Sequence, residues 1–131
     1  MRNSNNSNAW VKKAEEDYET AISLARKRHS VPNSVCFHCE QCIEKYLKAL
    51  LISHRIYFPK THDLLELLKL VLPVEPLLQG LEEALQDLNP YAVAFRYPGE
   101  EATIKEAKEA VKVMKYLRNL LRERLGLRKK V

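Results

Sequence analysis

The sequence predicts an all-α protein, an antiparallel up-and-down helical bundle of about five helices, three long and two short. Three observations carry this. Apolar residues recur at helical spacing through most of the chain. No segment sustains the alternation of a strand, and no internal repeat is present. The prolines fall between the periodic segments, where a helix interior would not accept them. A length of 131 residues suits one domain around one core. The boundaries read as a flexible N-terminal segment over 1–8, a bundle over 9–125 and a basic C-terminal tail over 126–131.

Each element has its own signals. Met1 to Asn8 is Asn/Ser-rich, with Ser7 or Asn8 placed to cap a first helix from Ala9 to about Arg28. Trp10, Ala14, Tyr18, Ala21 and Leu24 or Ala25 share one face of it, and Asp17 lies inside that face by angle. Ser30-Val31-Pro32-Asn33-Ser34 is a turn leading into a second helix from about Ser34 to His54, broadly apolar through Phe37, Ile43, Tyr46, Leu47, Leu50 and Leu51. A short third helix is expected from Thr61 or His62 to Leu72, and a fourth from about Leu77 to Leu88 after Pro73 and Pro76. Tyr91 to Glu101 is an aromatic loop. Thr103-Ile104-Lys105-Glu106 is a capping box opening the last helix, which carries Ile104, Ala107, Val111, Met114, Leu117, Leu121 and Leu125 as its buried stripe and stops at Gly126.

Composition narrows the class. With 46% hydrophobic and 30% charged residues, the chain is neither disordered nor fibrous. Its apolar runs, Ala49-Leu50-Leu51-Ile52 among them, are far too short for a bilayer, and no secretory signal is legible. Three closely spaced cysteines argue against a disulfide framework and point to a reducing cytoplasmic setting. The formal charge of +5 attracts acidic partners or nucleic acid without specifying them. It gathers at Arg26, Lys27, Arg28 and His29, and at Arg122, Arg124, Arg128, Lys129 and Lys130, which read first as solvated helix ends.

Four blocks in order resemble the HEPN family. They are Trp10 with Lys13-Ala14-Glu15-Glu16-Asp17-Tyr18; Phe37-His38, Gln41 and Glu44-Lys45-Tyr46-Leu47-Lys48-Ala49-Leu50; Pro59-Lys60-Thr61-His62-Asp63-Leu64; and Tyr91 with Arg96-Tyr97-Pro98. The resemblance covers about residues 9 to 125. It implies a helical bundle, frequent homodimerisation and frequent association with a minimal nucleotidyltransferase. Some family branches are metal-independent ribonucleases, often toxins or defence proteins; others have been proposed to bind nucleotides.

His38, Gln41, Lys45 and Lys48 fall within about 80° of one another on the second helix, a polar stripe on an apolar element. It reads as a groove for a phosphate-bearing ligand or a partner, or as a structural arrangement in which Lys45 pairs with Asp17 and Lys48 snorkels. His62 and Asp63 open the third helix. Asp63 favours the positive helix end and Thr61 can cap it, whereas His62 is held beside a carboxylate for architecture or for a ligand. Tyr91, Phe95, Arg96 and Tyr97 form an arginine-bearing aromatic loop suited to a dimer or partner contact first, to base stacking second, or to folding back over the core.

The ribonuclease branches pair an arginine with a histidine across four to six intervening residues. Arg55 and His62 match that spacing but flank an interhelix connection. Arg96 stands where the resemblance expects the arginine, yet Gly99 to Ile104 contains no histidine. Cys36-x-His38-Cys39-x-x-Cys42 has ligand types for zinc, but cysteines at i, i+3 steps drift about 60° each around a helix and point apart. Cys39 and Cys42 read as small core fillers. No metal or cofactor is expected. The leading expectation is a homodimeric HEPN-type bundle that binds a nucleotide or docks on a nucleotidyltransferase. An RNA endonuclease using Arg96 or Arg55 with His62 is the alternative, and a plain homodimeric scaffold the third reading.

Overall fold

In the computed structural model, residues 2–29 and 31–127 are described, with side chains from residue 7 onward. Arg128, Lys129 and Lys130 of the basic tail lie outside the described residues. Five α-helices are present among them, and no strand: α1 (Arg2–Arg26), α2 (Pro32–Ser53), α3 (Leu64–Val71), α4 (Glu82–Leu88) and α5 (Ile104–Arg124). Short 3₁₀ segments, Pro76–Leu81 and Asn89–Ala92, precede and follow α4. The all-α bundle of three long and two short helices is therefore what the chain forms.

Side-chain pairs give the helix directions. Ser7 Oγ donates to the Ala49 carbonyl oxygen at 3.3 Å, and Asp17 meets His38 and Lys45, so α1 runs antiparallel to α2. Arg118 of α5 meets Glu15, and Arg122 meets Tyr46, so α5 is antiparallel to α1 and runs alongside α2 in the same direction. The elements between α2 and α5 carry the chain back. Glu75 sits at the His54 end of α2, Asn89 has returned to Asp63, and the Ala102 amide donates to Asn33 Oδ1 at 2.7 Å beside the start of α2.

The core is built as the periodicity requires. Ala14 and Ala21 of α1, Ile43, Tyr46, Leu47 and Leu50 of α2, Leu64 and Leu67 of α3, Leu85 and Leu88, and Met114, Leu117 and Leu121 of α5 are all fully buried. Truncating any of the large ones to alanine removes transfer energy and leaves a cavity, costing about 2–5 kcal/mol. Cys36, Cys39 and Cys42 are fully buried free thiols within the same cluster. Burial pushes Cys36 up to about 11, with the Glu106 charge adding to it, and Cys39 up to about 12, with the neighbouring Cys36 adding. They are core fillers.

Several sequence expectations change. The path of α1 starts at Arg2, so Ser7 and Asn8 are inside the helix instead of capping it. The third helix begins at Leu64, not at Thr61 or His62, because the Asp63 side chain accepts from the Leu65 and Glu66 amides and is itself the cap. The stretch expected as one helix from Leu77 is 3₁₀ up to Leu81, opened by Pro76 at its first turn. Ile104 is 60% exposed and Phe37 39% exposed, so neither belongs to the buried faces assigned to them.

Both α2 and α5 end in a Schellman arrangement. In α5 the Leu127 amide returns to the Arg122 carbonyl and Gly126, at φ +74°, takes the left-handed position. In α2 the Ile56 amide returns to the Leu51 carbonyl, and the left-handed position belongs to Arg55 at φ +59°. A side chain there is strained by about 1 kcal/mol relative to glycine. Arg55 thus has a backbone role, and its side chain makes no hydrogen bond or ion pair among the described residues.

Candidate functional site

The polar stripe of α2 is assembled from two similar units. Asp17, projecting from α1, accepts from His38 Nδ1 at 2.8 Å through one oxygen and from Lys45 Nζ at 2.5 Å through the other. One helical step along α2, Glu44 accepts from Lys48 Nζ at 2.9 Å and from His62 Nδ1 at 3.1 and 3.2 Å. Each unit is a carboxylate, a lysine and a histidine. Gln41 joins the second unit by donating to Glu44 Oε1 at 3.3 Å, and to Glu40 Oε1 at 2.7 Å.

The physical consequence is the same in both. A carboxylate accepts, so each imidazole carries its proton on Nδ1 and is left with Nε2 as a base. The two histidines differ in access. The His62 side chain is 68% exposed above a Glu44 side chain that is 3% exposed, whereas His38 is 28% exposed. His62 therefore presents an oriented imidazole edge to solvent from a buried anchor. The neighbour expected to hold it, Asp63, does not; Asp63 is spent on the α3 cap and on Asn89, whose Nδ2 donates to it at 3.1 Å.

Lys48 is nearly buried. Its ammonium lies 5.3 Å from the Trp10 ring centre and 5.7 Å from that of Phe58, and those two rings meet edge to face. An ammonium enclosed by two aromatic faces and a carboxylate has little left for an incoming anion. Lys45 likewise spends its charge on Asp17. The Lys45–Asp17 pair of the structural reading is realised, whereas Lys48 does not snorkel but is buried against Glu44, and any ligand on this face meets His38, Gln41 and His62 first.

Beneath the stripe lies Glu40, fully buried, with its Oε2 lacking any hydrogen-bond partner. Burial, and then the charge of Glu44, push its carboxyl up to about 9, so near neutrality Glu40 is an uncharged acid. Neither Glu40 nor Glu44 was singled out from the sequence. A signal existed: both project into the same arc of α2 as Leu47 and Leu51, where a charged residue is out of place.

The aromatic loop is anchored at both ends and presents its tip outward. Asn89 Oδ1 accepts from the Leu64 amide at 2.8 Å, and the far end is held by Asn33. Tyr91 and Phe95 stack with centres 5.8 Å apart, and Phe95 takes a left-handed φ of +65°. Arg96 and the 71% exposed Tyr97 then face solvent. The structure does not bring Arg96 into hydrogen bonding with His38, Gln41 or His62, nor Arg55 with His62.

The HEPN domain family matches residues 7–124 of this fold. The chain belongs to the HEPN domain family. This HEPN chain is also similar to a Methanocaldococcus jannaschii protein named "Putative toxin MJ1304", 30% identical over 139 aligned positions that cover 91% of this chain and 90% of the relative. No solved structure matches it. Among its described residues no helix is long and apolar enough to cross a membrane.

A second polar network lies inside the HEPN bundle. Glu15 takes Arg118 Nε at 2.7 Å and Nη2 at 2.8 Å, a bidentate pair, and also accepts from the Tyr46 hydroxyl. Arg122 Nη1 donates to the Tyr46 oxygen at 2.9 Å, and the Arg118 guanidinium lies 3.8 Å from the Tyr18 ring centre. Burial works against the Arg118 charge, yet Glu15 more than offsets it and holds the guanidinium above its ordinary range. Burial and the Glu15 hydrogen bond push the Tyr46 phenol up as well. Sequence reading placed Tyr46 in the core and missed Arg118 and Glu15, because a charged side chain on a long helix looks like solvated surface.

Proposed function

We propose that this HEPN chain is a toxin-type protein that cleaves RNA by acid–base chemistry, with His62 as the base and Glu44 as its anchor. The observation that carries this reading is the exposed His62 edge fixed through Nδ1 by a buried carboxylate. A general base needs that combination: a titratable nitrogen in reach of substrate, held in one tautomer. Nε2 would take the proton of an RNA 2′-hydroxyl as its oxygen attacks phosphorus. The bond to the 5′ oxygen breaks, that oxygen takes a proton from water, and a 2′,3′-cyclic phosphate and a 5′-hydroxyl remain. The toxin designation of the relative supports the same reading, and the histidine missing after Arg96 has a substitute in His62.

The test is cleavage of single-stranded RNA in the presence of a chelator. Cleavage by the wild type and its loss in His62→Ala, with folding unchanged, is expected. RNA left intact at high protein concentration removes the reading.

A second reading has its own observation. The anchored loop that displays Arg96 and Tyr97 fits a docking surface, as arginine and tyrosine are enriched in interface hot spots. On this reading the chain forms a homodimer and serves as the partner or nucleotide-binding subunit of a minimal nucleotidyltransferase, with His38, Gln41, Lys45, Lys48 and Arg96 at the contact. Co-expression with a neighbouring nucleotidyltransferase and a pull-down tests it, and Arg96→Ala with Tyr97→Ala should abolish recovery of the complex.

A further inference from the structure

The two carboxylate–lysine–histidine units adjoin along α2. Lys45 and Lys48 are one turn apart, so their Cβ atoms are about 5–6 Å from each other. Gln41 stands between His38 and Glu44 in the same row. The proposed cleavage chemistry uses one unit and leaves the Asp17–Lys45–His38 unit unexplained. A purely structural pair would need Asp17 and Lys45 alone; the added imidazole is part-exposed, oriented and ionisable.

The charge of this face depends on its histidines. With a neutral imidazole, each unit holds one carboxylate and one ammonium and is electrically balanced. With an imidazolium, one negative and two positive charges leave a single net positive charge per unit. The charged groups facing His38 are Asp17 from α1 and Lys45 from its own helix, and these cancel. The Phe37 and His38 rings meet edge to face at 5.3 Å between centres, and Phe37 contributes no charge. Protonation of His38 therefore appears undiminished at the surface, beside Gln41 and one step from His62.

We propose that the Asp17–Lys45–His38 unit is a backbone-phosphate subsite for an RNA strand, engaged in its imidazolium form, next to the phosphate served by His62. It rests on the RNA-directed reading but not on cleavage. Two phosphates of one strand meet two histidines, His38 on α2 and His62 on the connection that Glu44 holds against α2. Gln41 lies between them; its amide nitrogen is engaged by Glu40 and Glu44, which leaves its carbonyl oxygen as an acceptor for the sugar between. A mononucleotide spans one unit and forgoes the other, so the site favours a strand over a free nucleotide.

The experiment reads binding separately from chemistry. Fluorescence anisotropy with a non-cleavable single strand, 2′-deoxy at each position, is recorded from pH 5 to 8 for the wild type, His38→Asn and His62→Asn. Asparagine still donates to Asp17 and cannot titrate. Wild-type affinity should rise as pH falls, and His38→Asn should lose about tenfold at the acid end, as expected for one charge-assisted hydrogen bond, and flatten the pH dependence. In turnover with cleavable RNA, His38→Asn should raise KM with kcat nearly unchanged, while His62→Asn should lose kcat. AMP should bind far more weakly than the strand.

If the wild type binds the strand in this manner but leaves RNA uncut, the nuclease reading fails and the subsite stands. An affinity equal in wild type and His38→Asn at every pH overturns the subsite, as does AMP binding as tightly as the strand. Should His38→Asn fold poorly, the imidazole NMR signal of His38 in the wild type decides: a shift on addition of the strand supports the subsite, and an unmoved signal overturns it.

Discussion

Glu15 and Asp17 are two residues apart on α1, and their side chains are almost equally covered, 13% and 11% exposed. Burial alone does not distinguish them; their partners do. Glu15 turns into the bundle and meets two arginines and a phenol, donors that stay protonated across any ordinary pH. Asp17 turns to the edge and meets a lysine and a histidine, and Glu44 repeats that pairing. One carboxylate closes a permanent clamp between α1 and α5. The other two hold ionisable imidazoles at the surface. Position on the helix face thus separates architecture from chemistry within a single turn.

The comparison can be broken in four places. The largest expected effect is at the edge: His62→Ala should lower RNA cleavage by about 100-fold or more, the range of general acid–base catalysis. Its thermal midpoint should not move, because the ring is mostly solvated; a large fall in midpoint would make His62 structural. Next is the clamp. Arg118→Ala removes the bidentate partner of the Glu15 carboxylate, leaving it Arg122 and the Tyr46 hydroxyl, and should cost about 3 kcal/mol in denaturant unfolding. A loss below about 1 kcal/mol would show that the clamp is no stronger than a surface pair.

A third test sharpens the boundary between the regions. Glu40 keeps a proton in the folded state up to about pH 9 that the unfolded chain releases near its ordinary 4.5. Between those values the unfolded state binds fewer protons, so stability falls as pH rises and levels off above about 9. Glu40→Gln, neutral at every pH, removes that slope. Relative to wild type it should gain stability on the order of 1 kcal/mol per pH unit from pH 5 to 9. Parallel stability curves for the two proteins would mean that Glu40 is ionised.

The smallest effect lies outside both regions. Arg55→Gly relieves the left-handed residue ending α2 and should raise stability by about 0.5–1 kcal/mol with RNA cleavage unaltered. A drop in cleavage would restore Arg55 to the site.

Much of this was legible in the chain. The α5 capping box closes as read, with the Glu106 amide donating to the Thr103 hydroxyl and Glu106 accepting from the Thr103 amide. The Lys45–Asp17 pair was also readable, because Asp17 sits on an apolar face and needs a cation. The second unit was not. Glu44 lies among leucines of α2, and its histidine comes from a connection 18 residues on, where no periodicity sets a side chain's direction. The split of the segment before α4 was missed because 3₁₀ and α turns share the same apolar residues over so short a run.

The sequence by itself determined the number of long helices, most of each buried stripe, the stop at Gly126 and the membership of the chain in its family. The helices, stripes and stop follow from local rules, the 3.6-residue period, capping chemistry and glycine at a left-handed position, which act within a turn or two, whereas the family follows from four motif blocks in order. Apart from the Asp17–Lys45 pair, only the tertiary structure decided which carboxylate meets which cation. Asp17 joins His38 across 21 residues and Glu15 joins Arg118 across 103. Long charged side chains reach several candidates from one backbone position, and helix packing selects among them. Whether an imidazole ends inside the bundle or at its edge is settled by that same packing, and the chemistry open to this protein follows from it.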